Sequence, residues 1–134
     1  MSKIIINTDG ASRGNPGPAS IGVTLKDGKN NLVACISKAI GHATNNQAEY
    51  QALLAGLEKA ASLGAKELEI RSDSELLVKQ IKGEYRMKNE GLKPLFSKSV
   101  SLLGRFERYQ IKYIPRAQNS EADALANKAL DGGS

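Results

Sequence analysis

The stretch Ile4-Ile5-Ile6-Asn7-Thr8-Asp9-Gly10-Ala11-Ser12-Arg13-Gly14-Asn15-Pro16-Gly17 decides how the rest of the chain is read. An apolar run stops at a carboxylate, and a turn rich in Gly, Ser, Asn and Pro follows at once. β-Branched residues bounded by turn formers make a strand, here over residues 3–8. Asp9 then falls at the carboxyl end of a strand whose body is buried. A carboxylate at such an edge is costly unless a cation faces it, from a side chain or a metal ion.

Outward from this strand, two more are expected at 19–25 and 32–40. They are joined through Asp27-Gly28, a pair that favours tight hairpins, so the chain opens as an antiparallel meander. The period then changes. Leu53, Leu54, Leu57, Ala60, Ala61 and Leu63 recur at helical spacing over 45–63. Thr44-Asn45-Asn46-Gln47 forms a capping box at the start of that helix, and Gly64 stops it. Residues 66–72 alternate polar and apolar as a half-buried strand. A helix separates it from the meander, so it lies parallel to the first strand. A second helix starts at Ser72 or Asp73 and ends before Gly83. A third carries Leu95, Phe96, Val100, Leu103 and Phe106, with Pro94 in its first turn. A fifth strand at 110–114 and a last helix at 121–130 complete the order βββαβααβα. This order predicts an α/β fold: one domain over 1–130 with a five-stranded mixed sheet and helices packed on it, then a disordered tail at 131–134.

The chain has 134 residues, 40% hydrophobic and 25% charged, enough for one core. No apolar run reaches membrane-spanning length. Met1-Ser2-Lys3 runs straight into the first strand, which leaves no room for a signal peptide. Cys35 is the only cysteine, so an internal disulfide is excluded; it lies in an apolar run and reads as core. The expected setting is the cytoplasm, with no membrane partner. A formal net charge of +5 favours a polyanion. Trp is absent, which argues against an aromatic platform for single strands.

Four acids sit at element ends beside apolar or turn-forming neighbours: Asp9, Glu49, Asp73 and Asp123. Asp9 can be a turn former that bonds nearby amides. Ser72-Asp73-Ser74-Glu75 and Ser120-Glu121-Ala122-Asp123 can each cap a helix. Glu49 lies beyond the first turn of a helix whose start is already satisfied, which leaves a solvated face as its structural account. The alternative takes them together. Parallel first and fourth strands would set Asp9 beside Asp73, at the sheet edge where ligands of α/β folds collect. All-oxygen ligation suits Mg²⁺, and two such ions about 4 Å apart can clamp a phosphoryl displacement.

The segments Thr8–Gly17, Thr44-Asn45-Asn46-Gln47-Ala48-Glu49-Tyr50, Ser72-Asp73-Ser74 and Asn119-Ser120-Glu121-Ala122-Asp123-Ala124-Leu125-Ala126 together resemble ribonuclease HI. They occur in the family's order and the likeness covers essentially the whole chain. The resemblance implies an endonuclease that cuts the RNA strand of an RNA/DNA hybrid duplex with two Mg²⁺ ions, Mn²⁺ substituting, and leaves 5′-phosphate and 3′-hydroxyl ends. By motif match, Asp9, Glu49, Asp73 and Asp123 are the catalytic, metal-binding carboxylates. Asn15, Asn45 and Asn46 would meet 2′-hydroxyls or bases in the minor groove, with Ser74 also on the nucleic acid and Thr44 on a DNA-strand phosphate. Neutral amides both donate and accept, which suits a 2′-hydroxyl.

Three departures qualify the likeness. Many members carry a mobile histidine before the last aspartate, whereas Ile114-Pro115-Arg116-Ala117-Gln118-Asn119 has none. Arg116 is the stand-in, able to steady phosphate charge but not to act as a base at neutral pH; a solvated loop cation is the alternative. Glu75 stands where the family often has Gln. The basic protrusion of some members is replaced by a short connector at 84–91, with Arg86, Lys88 and Lys93 nearby. A silent relative that binds nucleic acid without cleaving it, and a nuclease that also takes double-stranded RNA, remain open readings. A monomer is expected.

Overall fold

Residues 2–132 are described by a computed structural model. The strands are β1 (Lys3–Ser12), β2 (Gly17–Asp27), β3 (Leu32–Ala43), β4 (Glu67–Ser72) and β5 (Arg108–Tyr113). The helices are α1 (Asn45–Ser62), α2 (Glu75–Ile81), α3 (Lys93–Leu103) and α4 (Ser120–Leu130), with a short 3₁₀ turn at Arg116–Gln118 that the sequence pattern did not announce. The sheet runs β3-β2-β1-β4-β5. β1 pairs antiparallel with β2 and parallel with β4, as the crossover argument requires. Asp131 and Gly132 form a turn after α4; residues 133–134 of the expected tail lie outside the described residues.

Strand alternation assigns the two faces of the sheet. Ile4, Ile6 and Thr8 share one face of β1 and are fully buried. Gly56 of α1 sits over Ile6, Val23 and Thr8, so this is the α1 face. Leu53, Leu57, Leu68 and Ile70 complete the core there, and α3 packs against α1. Asp9 and its cross-strand partner Gly22 belong to the opposite face, covered by α4. α4 lies over β1, β2 and β3.

Several element ends differ from expectation. β1 does not stop at Thr8: its parallel ladder with β4 ends at the Thr8–Ser72 pair, but its antiparallel ladder with β2 continues to Ser12 and Ala19. Asp9 is therefore inside a strand, with β2 on one side and the end of β4 on the other. β2 and β3 are longer than expected for the same reason, because each is paired along its length. α2 begins after Ser74, whose Oγ accepts from the Leu77 N–H at 3.3 Å; neither Ser72 nor Asp73 is its cap. Asn119, not Ser120, is the cap position of α4. Cys35 is exposed rather than core. β3 is an edge strand, and its apolar run is only half covered: alternation sets Ala34 and Ile36 on the α1 face, where they pack partly against the core, and Cys35 on the opposite face, where it stays exposed. The capping box of α1 is formed as expected: Thr44 Oγ1 accepts from the Gln47 N–H at 3.1 Å, and Gln47 Oε1 accepts from the Thr44 N–H at 2.9 Å.

Candidate active site

Two glycines allow two helices to converge on Asp9. A Cβ on Gly10 would stand 2.2 Å from the backbone carbon of Ala48, so only glycine lets α1 approach β1 there. A Cβ on Gly22 would stand 2.0 Å from the Ala122 carbonyl oxygen and 2.6 Å from the Ala126 nitrogen, so α4 approaches β2 on the same terms. The first contact brings Glu49 in from one face, and the second brings Asp123 in from the other. The Gly10 N–H donates to Glu49 Oε1 at 2.6 Å, which fixes that carboxylate.

Asp9, Glu49 and Asp73 each offer an oxygen within 4.8 Å of the others. Asp9 and Glu49 are 6% exposed, so neither is a solvated acid. Asp123 lines the same cleft with Asn45, Arg116, Tyr113, Arg13 and Asn127; the cleft encloses about 400 Å³. Its carboxylate takes Arg116 Nη2 at 3.3 Å and Asn127 Nδ2 at 3.3 Å. Burial pushes the Asp9 carboxyl up to about 8, with the Asp73 and Asp123 carboxylates adding to the effect. Burial raises Glu49 well above the carboxylate range, and the charge on Asp9 raises it further. Asp73 is raised mainly by burial, with Arg116 pulling the other way. Desolvation is the common leading cause, and repulsion among the carboxylates adds to it.

A second depression adjoins the acidic cleft, lined by Asn15, Thr44, Asn46, Gln47, Asn89 and Leu92. Asn15 Oδ1 accepts from the Asn45 N–H at 3.1 Å, which ties the turn after β1 to the start of α1. Asn15, Thr44, Asn45 and Asn46 thus form one polar surface beside the acids. Ser74 lines neither cleft, and its hydroxyl is engaged in capping α2. Glu75 is exposed in the first turn of α2, with Lys79 Nζ at 3.8 Å.

Sequence reasoning missed Asn127, Asn119 and the spacing roles of Gly10 and Gly22. Asn127 could have been found, because it stands four residues after Asp123 and so on the same helical face. The glycines carried no such signal, since a close backbone approach depends on which helix lands opposite.

The donor set suits a hard divalent cation: all are carboxylate oxygens, held within reach of one another. Related proteins share the fold and the chain pattern. Residues 7–129 match the family model described as reverse transcriptase-like. Ribonuclease HI of Halobacterium salinarum is 49% identical over 92% of this chain, which spans 62% of that relative's length. The solved structure of RNase H1 from the same archaeon superposes with a TM-score of 0.95 at 46% identity, covering 98% of this chain and 99% of that one. LC11-RNase H1, solved in complex with an RNA/DNA hybrid, gives a TM-score of 0.92 at 44% identity over 97% of this chain and 98% of that one. On the match across residues 7–129 and these likenesses over nearly its whole length, this chain belongs to the ribonuclease H family.

Proposed function

We propose that this chain hydrolyses the RNA strand of RNA/DNA hybrids using divalent cations, Mg²⁺ or Mn²⁺, held by Asp9, Glu49, Asp73 and Asp123. The convergence of three desolvated carboxylates carries the reading. Left alone, these groups repel one another and take up protons; a hard cation relieves both penalties. Held by these four acids, such cations would supply an activated water and stabilisation of the leaving oxygen of a phosphodiester.

The chain's own part is preorganisation. Asp9 is fixed within paired β1, and Glu49 is held by the Gly10 N–H, so two acids keep their places before any ligand arrives. Asp123 comes from α4 and is steadied by Asn127. Arg116 stands exposed at the rim, where a guanidinium meets the charge that develops on a phosphate; it does not give up a proton at neutral pH. Asn15, Asn45 and Asn46 present amides next to the acids, a chemistry suited to reading a 2′-hydroxyl in a wide minor groove. The proximity of that amide surface to the acids supports a hybrid substrate over plain DNA.

The test is a set of end-labelled duplexes of one sequence, as RNA/DNA hybrid, RNA/RNA and DNA/DNA, incubated with Mg²⁺, Mn²⁺ or a chelator. The expected outcome is cleavage of the RNA strand of the hybrid, with 3′-hydroxyl and 5′-phosphate ends, abolished by the chelator. An intact hybrid with both metals, or cutting that survives chelation, overturns the proposal. Equal cutting of RNA/RNA replaces hybrid specificity with a broader one.

A further inference from the structure

Asn119 is 1% exposed, a polar side chain shut away from water beside the acidic cleft. It holds the cap position of α4, where asparagine ordinarily turns its side chain onto the helix's own free N–H groups. Here no side-chain cap bond is made. The amide is given to the sheet instead: Nδ2 donates to the Thr8 carbonyl at 2.8 Å, and Oδ1 accepts from Asn7 Nδ2 at 3.1 Å. The backbone of Asn119 faces the other way. Its carbonyl accepts from the Asp123 N–H at 3.0 Å, and its N–H donates to the Arg116 carbonyl at 2.9 Å.

These bonds join the groups that bear the carboxylates. Thr8 precedes Asp9 and is paired in register with Ser72, which precedes Asp73. We infer that Asn119 is the positioning residue that fixes Asp123 and the Arg116 turn relative to Asp9 and Asp73, so that the acids of three separate elements keep cation-binding spacing. The inference rests on the proposed cation-dependent hydrolysis. Asn119 touches neither substrate nor cation in this account. It acts through the carboxylates it spaces, as partners of metal ligands do.

The experiment measures Mg²⁺ binding without turnover, by calorimetry and by thermal shift, on wild type, Asn119→Ala, Asn7→Ala and Leu103→Ala. Leu103 is buried in α3, so its truncation loosens the fold while leaving these bonds intact. Asn119→Ala is expected to raise the half-saturating Mg²⁺ by about tenfold or more. On the hybrid, kcat should fall while KM stays unchanged. Asn7→Ala, which removes one anchor of the amide at a half-exposed site, should shift the midpoint the same way by a smaller factor. Leu103→Ala should lower Tm and leave the midpoint alone. A wild-type midpoint in Asn119→Ala overturns the inference, as does an equal shift in Leu103→Ala. Should Asn119→Ala fail to fold, an unchanged midpoint in Asn7→Ala overturns it. Wild type that binds no Mg²⁺ and leaves the hybrid intact overturns the proposed function itself, and the two failures are thereby told apart.

Discussion

β4 and the residue after it supply two acids of opposite character, Glu69 buried and Asp73 half-buried. Glu69 lies within the strand and Asp73 just past its end, roughly 13 Å further on at the usual rise. Glu69, with a side chain 12% exposed, is surrounded by Arg71 at 2.5 Å, Lys112 at 3.7 Å and Lys3 at 3.9 Å. Burial alone would raise its carboxyl, but Arg71 and then the two lysines outweigh that and hold it below the usual range. Asp73 meets Asp9 and Glu49 instead, and all three carboxyls are raised. The chain plainly has the means to neutralise a buried acid on this sheet. Where it brings three together, Arg116 offsets only part of their shift, and the divalent cation of the proposed function would supply the remaining positive charge.

Replacing one acid of the crowded cluster gives the sharpest contrast. Asp9→Asn removes a proposed cation ligand and a repelling charge at once. Hybrid cleavage should fall by about 10³-fold or more, since several kcal/mol of charge stabilisation are lost. In metal-free buffer at pH 8 the same variant should melt higher than wild type, because its amide needs no proton. Single-turnover cleavage and thermal melts measure the two effects. A variant that is both inactive and less stable than wild type would mean that Asp9 holds the fold as well as the site.

The clusters also differ in how they are roofed. Glu69 lies on the part of the sheet beyond α4, while Asp9 is enclosed because Gly22 and Gly10 admit α4 and α1. Gly22→Ala sets a methyl against the backbone of α4, which cannot yield as a flexible side chain would. The expected cost is about 3 kcal/mol in urea unfolding, together with loss of cleavage as Asp123 is carried away from Asp9. Unchanged stability would show that α4 is free to slide.

Much of this was legible beforehand. The element order, the parallel placement of β4 beside β1 and the capping box of α1 followed from hydrophobic period and turn chemistry, which are local properties. Convergence of Asp9 with Asp73 followed from sheet topology. Other features escaped because they depend on partners remote in sequence. Asp9 was read as a strand end, yet pairing with β2 carries β1 on to Ser12. Cys35 was read as core because an apolar run does not reveal that its strand lies at the sheet edge. Asn119 was read only as part of the segment that resembles ribonuclease HI, with the helix start assigned to Ser120, and only the packed structure turns its amide toward Thr8.

Acidity separates the clusters by sign. Asp9 has a folded pKa of about 8 against about 3.9 in an unfolded chain, so between these values the folded form holds the extra proton. Stability of the metal-free protein must then fall as pH rises through this window, by about 1.4 kcal/mol per pH unit for each carboxyl so held. Glu49 and Asp73, also raised, act in the same direction. Saturating Mg²⁺ should flatten the slope by taking the place of the proton. Melts from pH 4 to 8, with chelator and with Mg²⁺, provide the measurement; identical profiles would remove the electrostatic basis of the cation site.

Glu69→Gln should have the smallest effect and the opposite dependence on pH. The folded pKa of Glu69 is lowered, so its stabilisation is present above the unfolded value near 4.3 and disappears as pH falls through the folded one. Arg71 engages it through both Nε, at 2.7 Å, and Nη2, which makes the pair geometrically tighter than an ordinary surface contact. The three cations remain substantially exposed, and water screens what they contribute. A loss of about 1 kcal/mol at pH 7 is therefore expected, shrinking as pH falls below the unfolded value, with cleavage and Mg²⁺ affinity unaltered. Should Glu69→Gln weaken Mg²⁺ binding instead, charge would be shared along β4, and the two acids would form one electrostatic unit rather than two with separate counter-ions.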